Sequence, residues 1–171
     1  VVRKLEIVMQ QAGVTPDICP AVRASLDKAQ ATGAPAGAMV LPDGRVVTGK
    51  TSSLLGPSAA MLLNAVKLLA GIDKDLDLLP ASIIAPISDM KLRHLGHHNP
   101  RLHSDEVLIA LSISAVTNPL AERVLKKLDD LRGSEAHFSV ILSEEDAKLY
   151  KRLGIHVSCE PRYEVKKLYH K

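Results

Sequence analysis

The chain has 171 residues, of which 46% are hydrophobic and 24% charged, a balance typical of one soluble globular domain. Its net charge of +3 is small and its aromatic content is 2%, which argues against a nucleic-acid partner. The two cysteines, Cys19 and Cys159, lie far apart and indicate reduced thiols, so we expect a cytoplasmic protein with no membrane segment.

The first third of the chain predicts helices and then a hairpin. Apolar residues from Val1 to Ala12 fall at helical spacing, and Pro20 opens a second helix that ends at Gly33. We interpret residues 1–33 as the end of a preceding helical subdomain and residues 34–171 as an α/β domain. Beyond Gly33, the stretch GAMVLPDGRVVTG predicts an antiparallel hairpin of residues 38–41 and 45–48 across a Pro-Asp-Gly turn.

The rest of the chain predicts helices that alternate with strands. A helix is predicted in SAAMLLNAVKLLAG, and Ser82–Ile87 fits a helix or, because of Pro86, a strand. HSDEVLIALSISAV is apolar on nearly every side and predicts a central buried helix, and Asn118-Pro119 begins another. HFSVILS, SEEDAKLYKRLG and IHVSCEP predict a strand, a helix and a parallel strand. The fold class is therefore α/β with a small mixed sheet.

The stretch GRVVTGKT matches the phosphate-loop pattern G-x-x-x-x-G-K-[ST] letter for letter. A working phosphate loop needs an irregular loop between the glycines and a helix that starts at the Lys-Thr pair. Here Arg45–Thr48 are strand formers, and Gly56-Pro57 interrupts the chain soon after Thr51. We therefore predict a hairpin and no phosphate loop.

A weaker anion site is predicted at Lys50, Thr51, Ser52 and Ser53, which leave the second strand together. One cation and three hydroxyls then precede the helix that begins near Gly56, whose free N–H groups would suit an anion. The alternative is that these hydroxyls only cap and turn the backbone.

The stretch RHLGHHNPRLHSDE brings together four histidines and two carboxylates, ligand types that zinc, iron and manganese accept. Adjacent rings at His97 and His98 cannot easily point at one ion, and neither H-E-x-x-H spacing nor a cysteine pair is present. We predict no metal and no cofactor. His103 and Glu106 share a helix face and are the candidate catalytic residues; the alternative is a polar loop with Ser104 as helix cap.

Three stretches together carry a family resemblance: LPDGRVVTGKTSSLLGPSAAMLLNAVKLLAGID, NPRLHSDEVLIALSISA with the TNP that follows, and LGIHVSCEPRYEVKKLYHK. On these stretches the chain resembles the C-terminal part of the uncharacterised bacterial family called domain of unknown function 1846. The resemblance runs from about the first helix to the last Lys. It implies the last domain of a longer cytosolic protein, with upstream domains as partners.

The resemblance also implies a fold. The family's C-terminal part is similar to the three-layer α/β/α architecture of cytidine deaminases, and the family's glycine-rich, phosphate-loop-like stretch belongs to the upstream part. This sequence departs from the deaminase zinc motif, because HSDE is not H-x-E and TNPLAE stands where P-C-x-x-C is expected. A similar architecture alone is therefore no basis for predicting deaminase activity.

Two functions follow, and the sequence does not decide whether the chain is an enzyme. The first is an accessory α/β domain that contributes a ligand-binding face or an oligomer contact, with a homo-oligomer expected. The alternative is a catalytic domain that acts on a phosphorylated or nucleotide-like small molecule. In that case Lys50, Thr51 and Ser52 would hold the anion, and His103 or Glu106 would transfer the proton.

Overall fold

The first two strands of the computed structural model, which describes residues 19–163, form the predicted antiparallel hairpin. Strand β1 (Ala36–Val40) pairs with strand β2 (Val46–Lys50) along its whole length. Gly44, with a φ of 88°, and the side chain of Asp43, which accepts a hydrogen bond from the Arg45 amide, close the turn. The prediction of a hairpin is confirmed, so the phosphate-loop pattern is a turn followed by a strand.

Within residues 19–163, six helices accompany the sheet, and three of them begin with a proline, whose fixed φ suits the first helical position. The helix predicted between Val1 and Ala12 lies outside these residues. The helices are α1 (Pro20–Thr32), α2 (Pro57–Leu69), α3 (Ala81–Arg93), α4 (Ser104–Ser114), α5 (Pro119–Leu125) and α6 (Glu144–Arg152), with a short 3-10 turn at Leu128–Leu131.

Among the described residues, four strands form one mixed sheet in the order β2-β1-β3-β4. Strand β3 (Glu135–Phe138) is antiparallel to β1, and strand β4 (His156–Cys159) is parallel to β3. The parallel pair is joined through α6, as the strand–helix–strand pattern predicted. The mixed α/β class is thereby confirmed, whereas the likeness to cytidine deaminases stays a prediction.

Helices lie on both faces of the sheet. On one face α2 crosses β2 so closely that a methyl group at Gly49 would overlap the backbone of Met61. The same face carries Phe138, whose ring packs edge-on against Tyr150 of α6 at 5.6 Å between centroids. Helix α1 covers β1, β2 and β3 from the other face. The domain boundary at residue 33 remains a prediction.

Two predictions about the middle of the chain are now decided. Ser82–Ile87 is helical and belongs to α3, which contains Pro86 without interruption. The prediction of a central buried helix from HSDEVLIALSISAV is wrong for one side of α4. Val107 and Leu111 are in the core, but Ile109 and Ile113 are exposed, because no element among residues 19–163 covers them. None of the described helices is both long and apolar enough to cross a membrane.

Candidate functional site

A buried carboxylate, Asp146, lies where three helices begin. One of its oxygens accepts a hydrogen bond of 2.8 Å from the Ser58 hydroxyl, in the first turn of α2. The other accepts a bond of 3.0 Å from the amide of Ser104 and a further one from its hydroxyl, in the first turn of α4. Because Asp146 itself stands in the first turn of α6, the positive ends of three helices converge on it.

These donors keep Asp146 ionised. Burial alone would raise the pKa of its carboxyl, but the contacts from His103, Ser104 and Ser58 outweigh burial and hold the pKa well below its usual range. Asp146 is nonetheless only 5% exposed as a residue. Beneath it, the Tyr150 hydroxyl donates a bond of 2.6 Å to the carbonyl oxygen of Ser58, and burial raises the pKa of Tyr150. A charged side chain is thus held inside the protein by a satisfied polar network.

His103 connects this buried network to the surface. It occupies the cap position of α4, and a third of its side chain is exposed. Its Nδ1 lies 3.6 Å from a carboxylate oxygen of Asp146, which makes an ion pair when the ring is protonated. Asp146 raises the pKa of His103, against the opposing effect of partial burial. An imidazole held in this way can donate a hydrogen bond or transfer a proton.

His103 and Asp146 line a cleft of about 230 Å³. The start of α2 forms one wall, and the loop between β3 and α6 forms the other. This volume is below the range of about 300–1,000 Å³ typical of drug-sized sites, so the cleft suits a small ligand or one part of a larger one. The cleft is lined by Gly56, Pro57, Ser58, Asn99, His103, Val140, Ile141, Leu142, Ser143, Asp146 and Tyr163.

Glu106, the second candidate catalytic residue, is hydrogen-bonded within the fold, and a catalytic role for it stays a prediction. Its Oε1 accepts hydrogen bonds from the buried Lys91 ammonium at 2.7 Å and from the His103 amide at 2.8 Å. It therefore fixes the start of α4 and thereby the position of His103. The alternative interpretation placed Ser104 at the helix cap, but His103 takes that position, and the Ser104 hydroxyl bonds to Asp146 instead.

The predicted anion-binding residues lie beside the cleft and do not line it. The Ser52 hydroxyl accepts bonds from two following amides, at 3.2 and 3.1 Å, and so closes a local turn. Thr51 is buried, and its hydroxyl has no hydrogen-bond partner within residues 19–163. Lys50 and Ser53 are exposed.

The two segments that the sequence singled out run side by side. Leu55 forms a parallel bridge with Leu102, and the amide of Gly56 donates to the Leu102 carbonyl oxygen at 3.1 Å. The segment that follows the hairpin and the start of α4 therefore share a cleft, which Gly56, Ser58 and His103 line. The prediction of an anion contact at Lys50–Ser53 stays a prediction.

The histidine-rich stretch does not gather around one point. His94, His97 and His98 are exposed, and of the four histidines only His103 reaches the cleft. Among the described residues, no three His, Cys, Asp or Glu side chains come together as metal ligands would. The clustering in sequence reflects an exposed loop.

Asp146 and Ser58 are the site residues that the sequence did not reveal. Asp146 stands in the acidic first turn of α6, where carboxylates are common because they favour the helix dipole. One signal was available, because Asp146 precedes the aromatic Tyr150 by four residues and so shares its helix face. A carboxylate on the same face as a buried aromatic residue indicates a buried and partnered charge.

A second cleft, of about 430 Å³, lies between the end of α1 and the segments that carry Val140 and Tyr163. Its described lining is largely apolar and includes one charged residue, Arg162. It adjoins the His103 cleft through Val140 and Tyr163. It offers extra contact area beside the His103 cleft.

A family model described as "Domain of unknown function DUF1846, C-terminal" matches residues 17–169. The chain belongs to this family. UPF0371 protein stu1377 of Streptococcus thermophilus is 49% identical over 170 residues, which is 99% of this chain and 34% of the relative. UPF0371 protein SpyM50764 of Streptococcus pyogenes serotype M5 matches with the same identity and coverage. This DUF1846 domain therefore spans about a third of the length of these curated relatives.

Proposed function

We propose that this DUF1846 domain is an accessory α/β domain that contributes a small ligand-binding cleft to a longer protein. The observation that carries the proposal is the His103–Asp146 pair, in which a half-buried imidazole stands between a buried carboxylate and the cleft. An ion pair that served stability alone would not need one partner open to a cavity. Charged groups in such clefts are frequent at functional sites.

The ligand we infer is a small molecule with an anionic group, such as a phosphorylated metabolite. The raised pKa of His103 keeps its ring protonated over a wider pH range, and the starts of α2 and α4 add their positive ends. The negative charge of Asp146 is already matched by three hydroxyl and amide donors. In this proposal Lys50–Ser53 form a separate anion contact beside the cleft. A cytoplasmic location and a homo-oligomer are also part of the proposal.

The alternative is catalysis in the same cleft, with His103 as the proton-transfer group. It is favoured by the carboxylate at 3.6 Å from Nδ1, because a carboxylate in that position orients the ring and stabilises its protonated form. The partner of His103 in this scheme is Asp146. Glu106, whose Oε1 is bonded to Lys91, positions the ring.

A titration with inorganic phosphate and a set of phosphorylated metabolites, followed by NMR of the histidine rings, tests the proposal. We expect ligands to shift the His103 resonances and the His103→Gln variant to bind about tenfold more weakly, the loss expected for a hydrogen bond to a charged group. His98→Gln is the matched control, because His98 is an exposed histidine outside the cleft.

Unchanged binding by His103→Gln would contradict the proposed site. Turnover of a bound compound by the parent but not by His103→Gln would favour the catalytic alternative. Binding without turnover would favour the accessory role.

A further inference from the structure

We propose that the outward face of α4 is the surface on which the upstream part of the longer DUF1846 proteins packs. Three β-branched side chains form this face: Ile109, Ile113 and Val116, which are 60%, 67% and 84% exposed. Their spacing of four and then three residues places them in one row along the helix and the turn that follows it. We call these three residues the α4 stripe.

The opposite side of the same helix is already in the core. Val107, Ala110 and Leu111 are almost fully buried, so α4 is apolar on both sides. The sequence carries no charged residue from Val107 to Ala121. A helix that is apolar all round is typically surrounded by protein, and residues 19–163 cover only one side of this one. The α4 stripe is therefore the uncovered half of a buried helix.

The occupant we assign is a part of the same polypeptide in the longer proteins. The family model describes this region as C-terminal, and the chain corresponds to 34% of stu1377, which leaves about two thirds of that relative to contact this domain. A tethered segment acts at an effective concentration of about millimolar and needs only a small contact. Three side chains fit that case, whereas an interface between free partners takes about 20–30 residues a side.

The chemistry of the stripe also restricts the surface that covers it. The α4 stripe offers only methyl and methylene groups, so a charge placed against it would lose water without gaining a partner. We therefore expect the covering surface to be apolar and uncharged at the contact.

Thiol labelling tests the assignment. Ile109→Cys is prepared in two proteins. One is this chain alone, and the other is a hybrid in which this chain replaces the 170 aligned residues of stu1377. The matched control is Leu95→Cys, because Leu95 is also 60% exposed but lies outside α4. Mass spectrometry of the peptides separates these sites from Cys19 and Cys159. We expect Ile109→Cys to react at least about tenfold more slowly in the long protein, and Leu95→Cys to react equally in both.

Equal reaction of Ile109→Cys in both proteins would overturn the proposal. Slow reaction in this chain alone, together with a dimer in sedimentation that Ile113→Asp dissociates, would assign the stripe to a second copy and overturn it as well. If the hybrid protein does not fold, hydrogen exchange of unmodified stu1377 tests the proposal instead. The peptide of unmodified stu1377 that aligns with residues 107–116 must then exchange more slowly in the full-length relative than in its isolated aligned segment.

Discussion

The side chain of Lys91 is 1% exposed, and its ammonium lies 2.7 Å from a carboxylate oxygen of Glu106, which joins α3 to the first turn of α4. The same ammonium donates a bond of 2.7 Å to the carbonyl oxygen of Arg101. Since Glu106 also accepts the amide hydrogen of His103, one buried cation holds the backbone on which the cleft histidine stands.

Replacing Lys91 by Met should destabilise the domain by about 3 kcal/mol, because the substitution leaves Glu106 and a carbonyl group without their buried donor. Urea unfolding measures this loss. Arg93→Met is the control on the same helix, since Arg93 pairs with Asp89 at 2.9 Å while 72% exposed, and removal of such a surface pair costs less than about 1 kcal/mol. Equal losses in the two variants would show that Lys91 is no more than a surface cation.

Gly49→Ala should cost about 2 kcal/mol, because its methyl group would overlap the backbone nitrogen of Met61 and force α2 away from β2. Gly56→Ala, at the cap of α2, should cost about 1 kcal/mol or less, since a methyl group there meets only the Leu102 carbonyl oxygen at 3.7 Å. Thermal unfolding of both variants gives the comparison. A harmless Gly49→Ala would mean that α2 and β2 are farther apart than described.

The contribution of His103 to stability should depend on pH. Its pKa in the folded chain is raised above the ordinary value of 6.5, so its stabilisation is fully present below pH 6.5 and is lost as the pH rises through the folded pKa. The difference in unfolding free energy between the parent and His103→Gln should therefore shrink from about pH 5.5 to about pH 8.5. His137 titrates in both proteins and cancels in the difference. A difference that grows with pH would contradict the pairing with Asp146.

Asp146→Asn should show the opposite pH dependence. The pKa of Asp146 is held below the ordinary value of 3.8, so the charged form stabilises the folded state above that pH and the gain is lost as the pH falls through the lowered pKa. The parent should consequently exceed Asp146→Asn in stability at neutral pH and lose that advantage in acid. Acid titrations of unfolding, read by circular dichroism, measure it. A constant gap down to low pH would argue against an ionised Asp146.

Lys50→Ala should weaken the binding of inorganic phosphate by about tenfold if the exit of β2 contacts anions as the sequence predicts. The control is Lys126→Ala, because Lys126 is 73% exposed and pairs only with its helix neighbour Glu122 among the described residues. NMR titration separates the two effects. An equal loss in both lysine variants would indicate nonspecific attraction, and no loss in Lys50→Ala would remove this segment from the proposed site.

Much of the fold could be predicted because its signals are local. The turn at Asp43-Gly44 and the proline that opens α2 each determine nearby backbone, so the hairpin and most helices were placed correctly. The exposure of one side of α4 was not predictable in this way. An all-apolar helix indicates burial, and the sequence does not say whether neighbouring elements cover every side of it.

The candidate site was predictable only in part, for a similar reason. His103 stood out because it lies in a histidine-rich stretch next to a helix start. Its partner Asp146 lies far along the chain, in a first turn where acidic residues are common for the sake of the helix dipole alone. The contact between Glu106 and Lys91 was not predictable, because Lys91 becomes a neighbour only once α3 has folded back.

The convergence of three helix starts on Asp146 also has a kinetic consequence. Asp146 is separated from Ser104 by 42 residues and from Ser58 by 88, so its hydrogen bonds close large loops, and we expect them to form late in folding. Interactions that are absent from the transition state slow unfolding without accelerating folding. We therefore expect loss of the Asp146 carboxylate to shorten the lifetime of the folded state more than it delays refolding.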